Sequence, residues 1–289
     1  MPLTSHAARR APTPLKLPEW GNAGVLDYNV VVQPVFNRYC VACHSGTNPP
    51  KGVSLTGNYT RFFNMSYDTL TTRFRSDKVS RAHYTGDTDQ KPMVQSFHLL
   101  YGIMEPLKAK QSGTFASRLP EFLKKEHCKK EIPLADRRKI YEWIDAMIPY
   151  YPTTGYAHLR GKSNRDKWGD RDSTELLPWF TKRFNPVYEK KCASCHGPIR
   201  HDTYDPQPQW MWLDLTRAEW SPALTAHLPK AAGGRGLAPE KFAFAGVEDP
   251  VYREMLEAIR EGGREALKTP EADMPGFVDR SKGFGEFKY

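Results

Sequence analysis

Cysteine is scarce in this sequence, five in 289 residues, yet four of the five fall into two identical patterns. Cys40, Cys43 and His44 stand in CVACHSG, and Cys192, Cys195 and His196 stand in CASCHGP. At the chain's own residue frequencies about 0.003 accidental CxxCH matches are expected, so two matches point to chemistry rather than composition. Three chemistries use thiols this close. Disulfide exchange needs CxxC but not the histidine behind it. A structural zinc site joins two CxxC pairs typically about 15–20 residues apart, whereas 148 residues lie between Cys43 and Cys192 and each pair has its own histidine. A covalent c-type haem needs all three residues: two thiols add to the porphyrin vinyl groups, and the histidine that follows ligates the iron. The motifs are read as the attachment sites of two covalently bound c-type haems. His44 and His196 are the proximal ligands, and zinc and redox thiols are the alternatives.

Residues upstream must present these motifs, and they repeat as well: QPVFNRYCVACH parallels NPVYEKKCASCH. Pro34 and Pro186 each stand six residues before the first cysteine, followed by valine and then an aromatic, Phe36 or Tyr188. Proline suits the first turn of a helix. Val25, Tyr28, Val32, Val35 and Phe36 mark an apolar helical face running into the first motif. Each motif is therefore expected to end a helix in its own domain. The spacing of Ile140, Trp143, Ile144 and Met147 predicts a packed helix that closes the first domain, ended by Pro149 and Pro152. A polar, glycine-containing run follows and reads as a linker. The expected organisation is an extended N-terminal arm over 1–19, a haem 1 domain over 20–152, a linker over 153–174 and a haem 2 domain over 175–289. In the last, Thr216 and Glu219 read as a capping box. Asp249, Pro250 and Gly262 read as the cap, first position and stop of a further helix, and AAGGRG over 231–236 as a flexible loop. Alternating strand patterns are few. The expected fold class is mostly α: two cytochrome c-like haem domains in tandem with long loops.

The net charge of +9 and pI of about 9.2 fit either a plain basic surface or attraction to an acidic partner protein. Nucleic acid is not expected, because the basic residues are scattered beyond short pairs such as Arg9-Arg10 and Lys129-Lys130. No stretch approaches the roughly 18 apolar residues of a membrane-spanning helix. The N-terminal segment lacks the apolar centre of a signal peptide. Since haem is attached to CxxCH outside the cytoplasm, the chain is expected in the periplasm or an equivalent compartment, with its export signal already removed.

Longer blocks carry a resemblance. VVQPVFNRYCVACHSG, SLTGNYTRFFNMSYDTL, SRLPEFLKKEHCKKEIPLADRRKIYEWIDAMIPYY, WLDLTRAEWSPALTAHLPKAAGGRGL and EADMPGF, from about Leu17 to Phe277, resemble the di-haem C-terminal region of the hydrazine synthase alpha subunit family. The resemblance implies two haem-bearing domains and membership of a redox assembly. It also leaves room for an enzyme with an open haem acting on a small nitrogen compound or peroxide.

The ligand across the iron from the proximal histidine decides between electron transfer and substrate chemistry. For haem 1 the candidates are His83, Met93, His98, Met104 and His127; His127 is preferred because it stands just before the closing helix, where cytochrome c-like folds often place this ligand. For haem 2 Met274 is preferred, standing in a late Met-Pro pair, with His201 and His227 as rivals. A His/Met haem 2 would have the higher potential and receive electrons from a bis-His haem 1. Cys128 reads as a buried inert thiol, and Tyr39, Trp143 and Trp212 as packing rather than electron relays. The expected function is electron transfer by a di-haem c-type cytochrome that meets a redox partner protein, within a multi-subunit complex or a homo-oligomer. A haem enzyme and a stacking subunit of a haem wire are the alternatives.

Overall fold

The structure is a computed structural model that describes residues 26–61, 63–71, 113–152, 179–197 and 213–278, together with positions 10–12, 14, 18, 93–94 and 110. The expected linker, most of the expected arm, and Val25, His83, His98, Met104, His201 and Trp212 lie outside the described residues. The chain is mostly helical. Its helices are α1 (Gln33–Tyr39), α2 (Met65–Thr71), α3 (Gly113–Ala116), α4 (Leu119–Phe122), α5 (Lys125–Cys128), α6 (Leu134–Asp145), α7 (Asn185–Lys191), α8 (Ala193–His196), α9 (Pro222–Thr225) and α10 (Pro250–Ala266). Among the described residues no strand forms, and only Tyr59 and Asn64 make a lone antiparallel bridge. None of the described helices is long and apolar enough to cross a membrane.

The sequence repeat is a structural repeat with a constant offset of 152 residues. A π-helical turn over Tyr28–Val32 runs into α1 and delivers Cys40, and a π-helical turn over Phe180–Phe184 runs into α7 and delivers Cys192. Pro34 and Pro186 each sit in the first turn of their α-helix, where a missing N–H costs nothing. Cys40 N donates to Phe36 O at 2.8 Å and Cys192 N to Tyr188 O at 2.7 Å. The wide π turn was not legible in the apolar spacing, since it keeps the same face inward.

Each repeat has its own buried cluster. In the N-terminal half Tyr28, Val32, Phe36, Ile140, Trp143 and Ile144 meet, so α6 closes over the helix that leads into the first motif. The Trp143 ring lies 5.0 Å from that of Tyr28, and its Nε1 donates to Pro149 O at 3.1 Å. In the C-terminal half Phe180, Phe184, Tyr188, Phe244, Tyr252, Met255 and Ile259 meet, and α10 takes the part that α6 plays in the first.

Local expectations needed correcting in four places. Met147 is not on the packed face: α6 ends at Asp145, and Met147 and Ile148 both take positive φ, 70° and 51°, turning the chain back. Gly262 does not stop α10, which runs on to Ala266. A Cβ on Gly262 would stand 2.7 Å from the Trp179 ring, and one on Gly263 would stand 2.3 Å from Leu215 O, so these glycines serve close helix packing rather than termination. Thr216 and Glu219 form no capping box. Asp214 accepts from the backbone N–H of Thr216 and Arg217 at 3.0 and 2.8 Å, while Thr216 Oγ1 accepts from Tyr59 N at 3.0 Å. The segment over 231–236 is a hydrogen-bonded turn: Arg235 N donates to Thr225 O at 2.7 Å and Gly236 N to Leu228 O at 3.0 Å.

The halves join along two seams. At the first, Asn58 Nδ2 donates to Asp214 Oδ2 at 2.7 Å, Leu215 N donates to Tyr59 O at 2.9 Å, and Tyr59 is buried within the C-terminal cluster. The Arg61 guanidinium lies 3.8 Å from the centre of the Phe180 ring. At the second, Tyr151 OH donates to Glu271 Oε2 at 3.0 Å and Tyr150 OH donates to Asp273 Oδ2.

Burial pushes the Asp214 carboxyl up to about 6, against hydrogen bonds from Asn58, Arg217 and Thr216 that lower it. A carboxyl raised in the folded state contributes stability that is fully present below its unfolded value and is lost as pH rises through its folded value. The rise from the ordinary carboxyl value to about 6 corresponds to about 3 kcal/mol. The stability of the unmodified protein relative to Asp214→Asn is therefore expected to fall by about 2–3 kcal/mol between pH 4 and pH 7, read by urea unfolding at both pH values. Parallel pH profiles for the two proteins would rule this out.

Candidate functional site

The first motif closes as one tight turn after α1. Cys43 N donates to Cys40 O at 3.1 Å and His44 N to Cys40 O at 2.9 Å. The turn separates the two thiols by environment: Cys40 is buried in the N-terminal cluster and Cys43 is exposed. The second motif repeats this, with Cys195 N bonded to Cys192 O at 3.1 Å, Cys192 buried and Cys195 exposed. All five cysteines are free. Burial pushes Cys40 up to about 12 and Cys192 up to about 11. Reactive dithiols of exchange enzymes have lowered values, because the thiolate is the nucleophile. The first cysteine of each pair is thus held as a thiol, which disfavours disulfide exchange. Among the described residues no group of three or more His, Cys, Asp or Glu is arranged to hold a metal ion by itself.

His44 is half-buried, and its Nδ1 lies 2.9 Å from Val53 O. A carbonyl only accepts, so Nδ1 carries the hydrogen and the lone pair is on Nε2. This outer hydrogen bond is the usual device that orients a ligating histidine. The bond is local: Leu55 N returns to His44 O at 2.9 Å, so the segment after the motif folds back against it.

His127 is on α5, exposed, and its ring centre lies 6.0 Å from that of His44, with the planes 31° apart. Two imidazoles bonded to one metal at about 2 Å each, with about 1.1 Å from nitrogen to ring centre, have centres about 6 Å apart. The distance between the two ring centres therefore matches that of imidazoles on opposite sides of one iron. Phe122 packs its ring edge-on to His127 at 5.2 Å. The buried carboxylate of Asp136 stands in the first turn of α6. It accepts from Lys139 Nζ and Tyr39 OH at 2.9 Å each and from Arg38 at 3.3 Å, pinning the end of α1 to the start of α6. The hydrogen bond from Lys139 leads the effects that hold Asp136 below the usual carboxylate range. Tyr39 packs against the N-terminal cluster and Trp143 is buried within it. Cys128 is half-buried rather than buried; its Sγ donates to Phe122 O at 3.3 Å and its thiol is raised by burial. Met93, the other described candidate for haem 1, packs against the N-terminal cluster.

In the C-terminal half the side chain of His196 is not described. Met274 is buried in the cluster that also holds Cys192. It follows α10, in the loop that Glu271 and Asp273 draw to Tyr151 and Tyr150. His227 precedes α10; its Nδ1 lies 3.2 Å from Phe242 O, and burial lowers its pKa, favouring the neutral imidazole.

No protein-family model, no curated protein and no solved structure matches the chain.

Proposed function

We propose that the chain is a di-haem c-type cytochrome that transfers electrons. Cys40 and Cys43 would hold one haem and Cys192 and Cys195 the other, with His44 and His196 as proximal ligands. The observation that carries the proposal is the spacing of His44 and His127, together with the Val53 carbonyl that turns Nε2 of His44 toward ligation. A bound haem supplies a one-electron redox centre. The protein's part is to orient both imidazoles, to seat one thiol of each pair in its core, and to leave no coordination site for a substrate at haem 1. The exposed lysines 124, 125, 129 and 130 surround His127 and give this edge a positive face that suits an acidic redox partner. The periplasmic location and a place in a larger redox assembly belong to the same proposal, as consequences of covalent haem attachment and of the family resemblance.

The test is an intact mass together with a reduced absorption spectrum taken with and without carbon monoxide. Protein matured in a host that attaches c-type haem is expected to carry the mass of two haems and to show no spectral change with carbon monoxide at haem 1. Carbon monoxide binding at haem 1 of the unmodified protein would replace electron transfer by the enzyme reading. A chain without covalent haem would end the proposal.

A further inference from the structure

We infer that His227, not Met274, is the second axial ligand of the haem held by Cys192 and Cys195, so that both haems are closed by histidine. The inference rests on the proposed haem function and adds a ligand to it.

Three observations carry it. First, the two halves share an order of parts. In the N-terminal half the chain passes from the motif to His127 and then to α6, which packs on the turn leading into the motif. In the C-terminal half it passes from the motif to His227 and then to α10, which packs on the equivalent turn. Met274 comes only after α10, outside that interval. Second, the imidazole is oriented as that of His44 is, with Nδ1 donating to a backbone carbonyl, here Phe242 O at 3.2 Å. Third, its backbone is fixed on every side. Arg235 N donates to Thr225 O, Leu237 N to Ala226 O at 2.9 Å, Phe244 N to His227 O at 2.9 Å and Gly236 N to Leu228 O. A Cβ on Gly234 would stand 2.1 Å from Leu228 O, so only glycine permits this closure. The glycine-rich segment thus has a purpose, which is to hold one histidine still.

The same stretch is also bonded to the helix that leads into the second motif. Phe242 and Phe244 bond His227, and between them Ala243 O accepts from Lys191 Nζ at 3.4 Å, one residue before Cys192. Met274 is buried in the same cluster as Cys192, but it stands after α10, in the loop whose Glu271 and Asp273 bond Tyr151 and Tyr150.

The experiment uses the full matured chain and measures its mass first, then its carbon monoxide binding. With two haems present, the unmodified reduced protein is expected to bind none. His227→Ala is expected to bind one equivalent, with the haem 1 spectrum unchanged, and Met274→Leu, of similar volume, to bind none. Should His227→Ala not accumulate, His227→Met replaces it; it is expected to raise one of the two midpoint potentials, because methionine ligation raises the potential. A chain lacking covalent haem overturns the proposed function itself. A two-haem chain in which Met274→Leu opens the site while His227→Ala leaves it closed overturns this inference alone, as does a two-haem chain in which neither opens it.

Discussion

Replacing His127 by alanine is expected to change carbon monoxide binding at haem 1 from none to one equivalent per chain. The ring of His127 stands 6.0 Å from that of His44, on the four-residue helix α5. Truncation removes the nitrogen and leaves the helix in place, because its backbone bond from His127 N to Lys124 O does not involve the side chain and Cys128 Sγ still bonds to Phe122 O. The side chain is exposed, so its loss opens no cavity in the core. Added imidazole is expected to close the site again, a rescue that a merely structural histidine would not give. If His127→Ala stays inert to carbon monoxide, the pairing of the two rings has no role in ligation.

The second large effect concerns attachment. Cys192→Ala with Cys195→Ala is expected to halve the covalent haem, from two per chain to one, and to leave the spectrum of haem 1 as it was. The argument is the separation of the clusters. Cys192 is seated among Tyr188, Phe244 and Met255, whereas Cys40 is seated with Phe36 and Trp143. Intact mass after extraction of unattached haem reads the result directly. Retention of both haems would show that the second motif is not an attachment site.

The two CxxCH turns, the helices that lead into them and the constant offset of the repeat were legible in the sequence, because residue identity at fixed spacing carries those turns. The second helix of each repeat was legible only in part. Ile140, Trp143 and Ile144 point inward as their period requires, but Met147 shares the period without sharing the helix, since two consecutive left-handed residues end it first. Gly262 resembles a helix stop, and only the Trp179 ring lying against it explains why the helix continues. Asp214 gave no signal at all. Its role depends on Asn58, a residue 156 positions away, and no local pattern reports such a partner. The seams follow the same logic: Tyr-Tyr at 150–151 and Glu-x-Asp at 271–273 are unremarkable until they meet. The glycines that follow His227 read as slack in the sequence, whereas they form a hydrogen-bonded closure.

In the proposed di-haem protein the seams would also govern how fast charge can move. Electron tunnelling falls steeply with distance, so centres on independently tumbling domains exchange electrons only as often as chance brings them close. Here Asn58, Tyr59 and Arg61 hold one side of the joint and Tyr150 and Tyr151 hold the other. Two separated points of attachment remove rotation as well as translation. If the chain carries the two proposed haems, the gap between them would be decided once, when the chain folds, and the transfer rate would become a constant of the molecule, indifferent to the viscosity of the solvent around it.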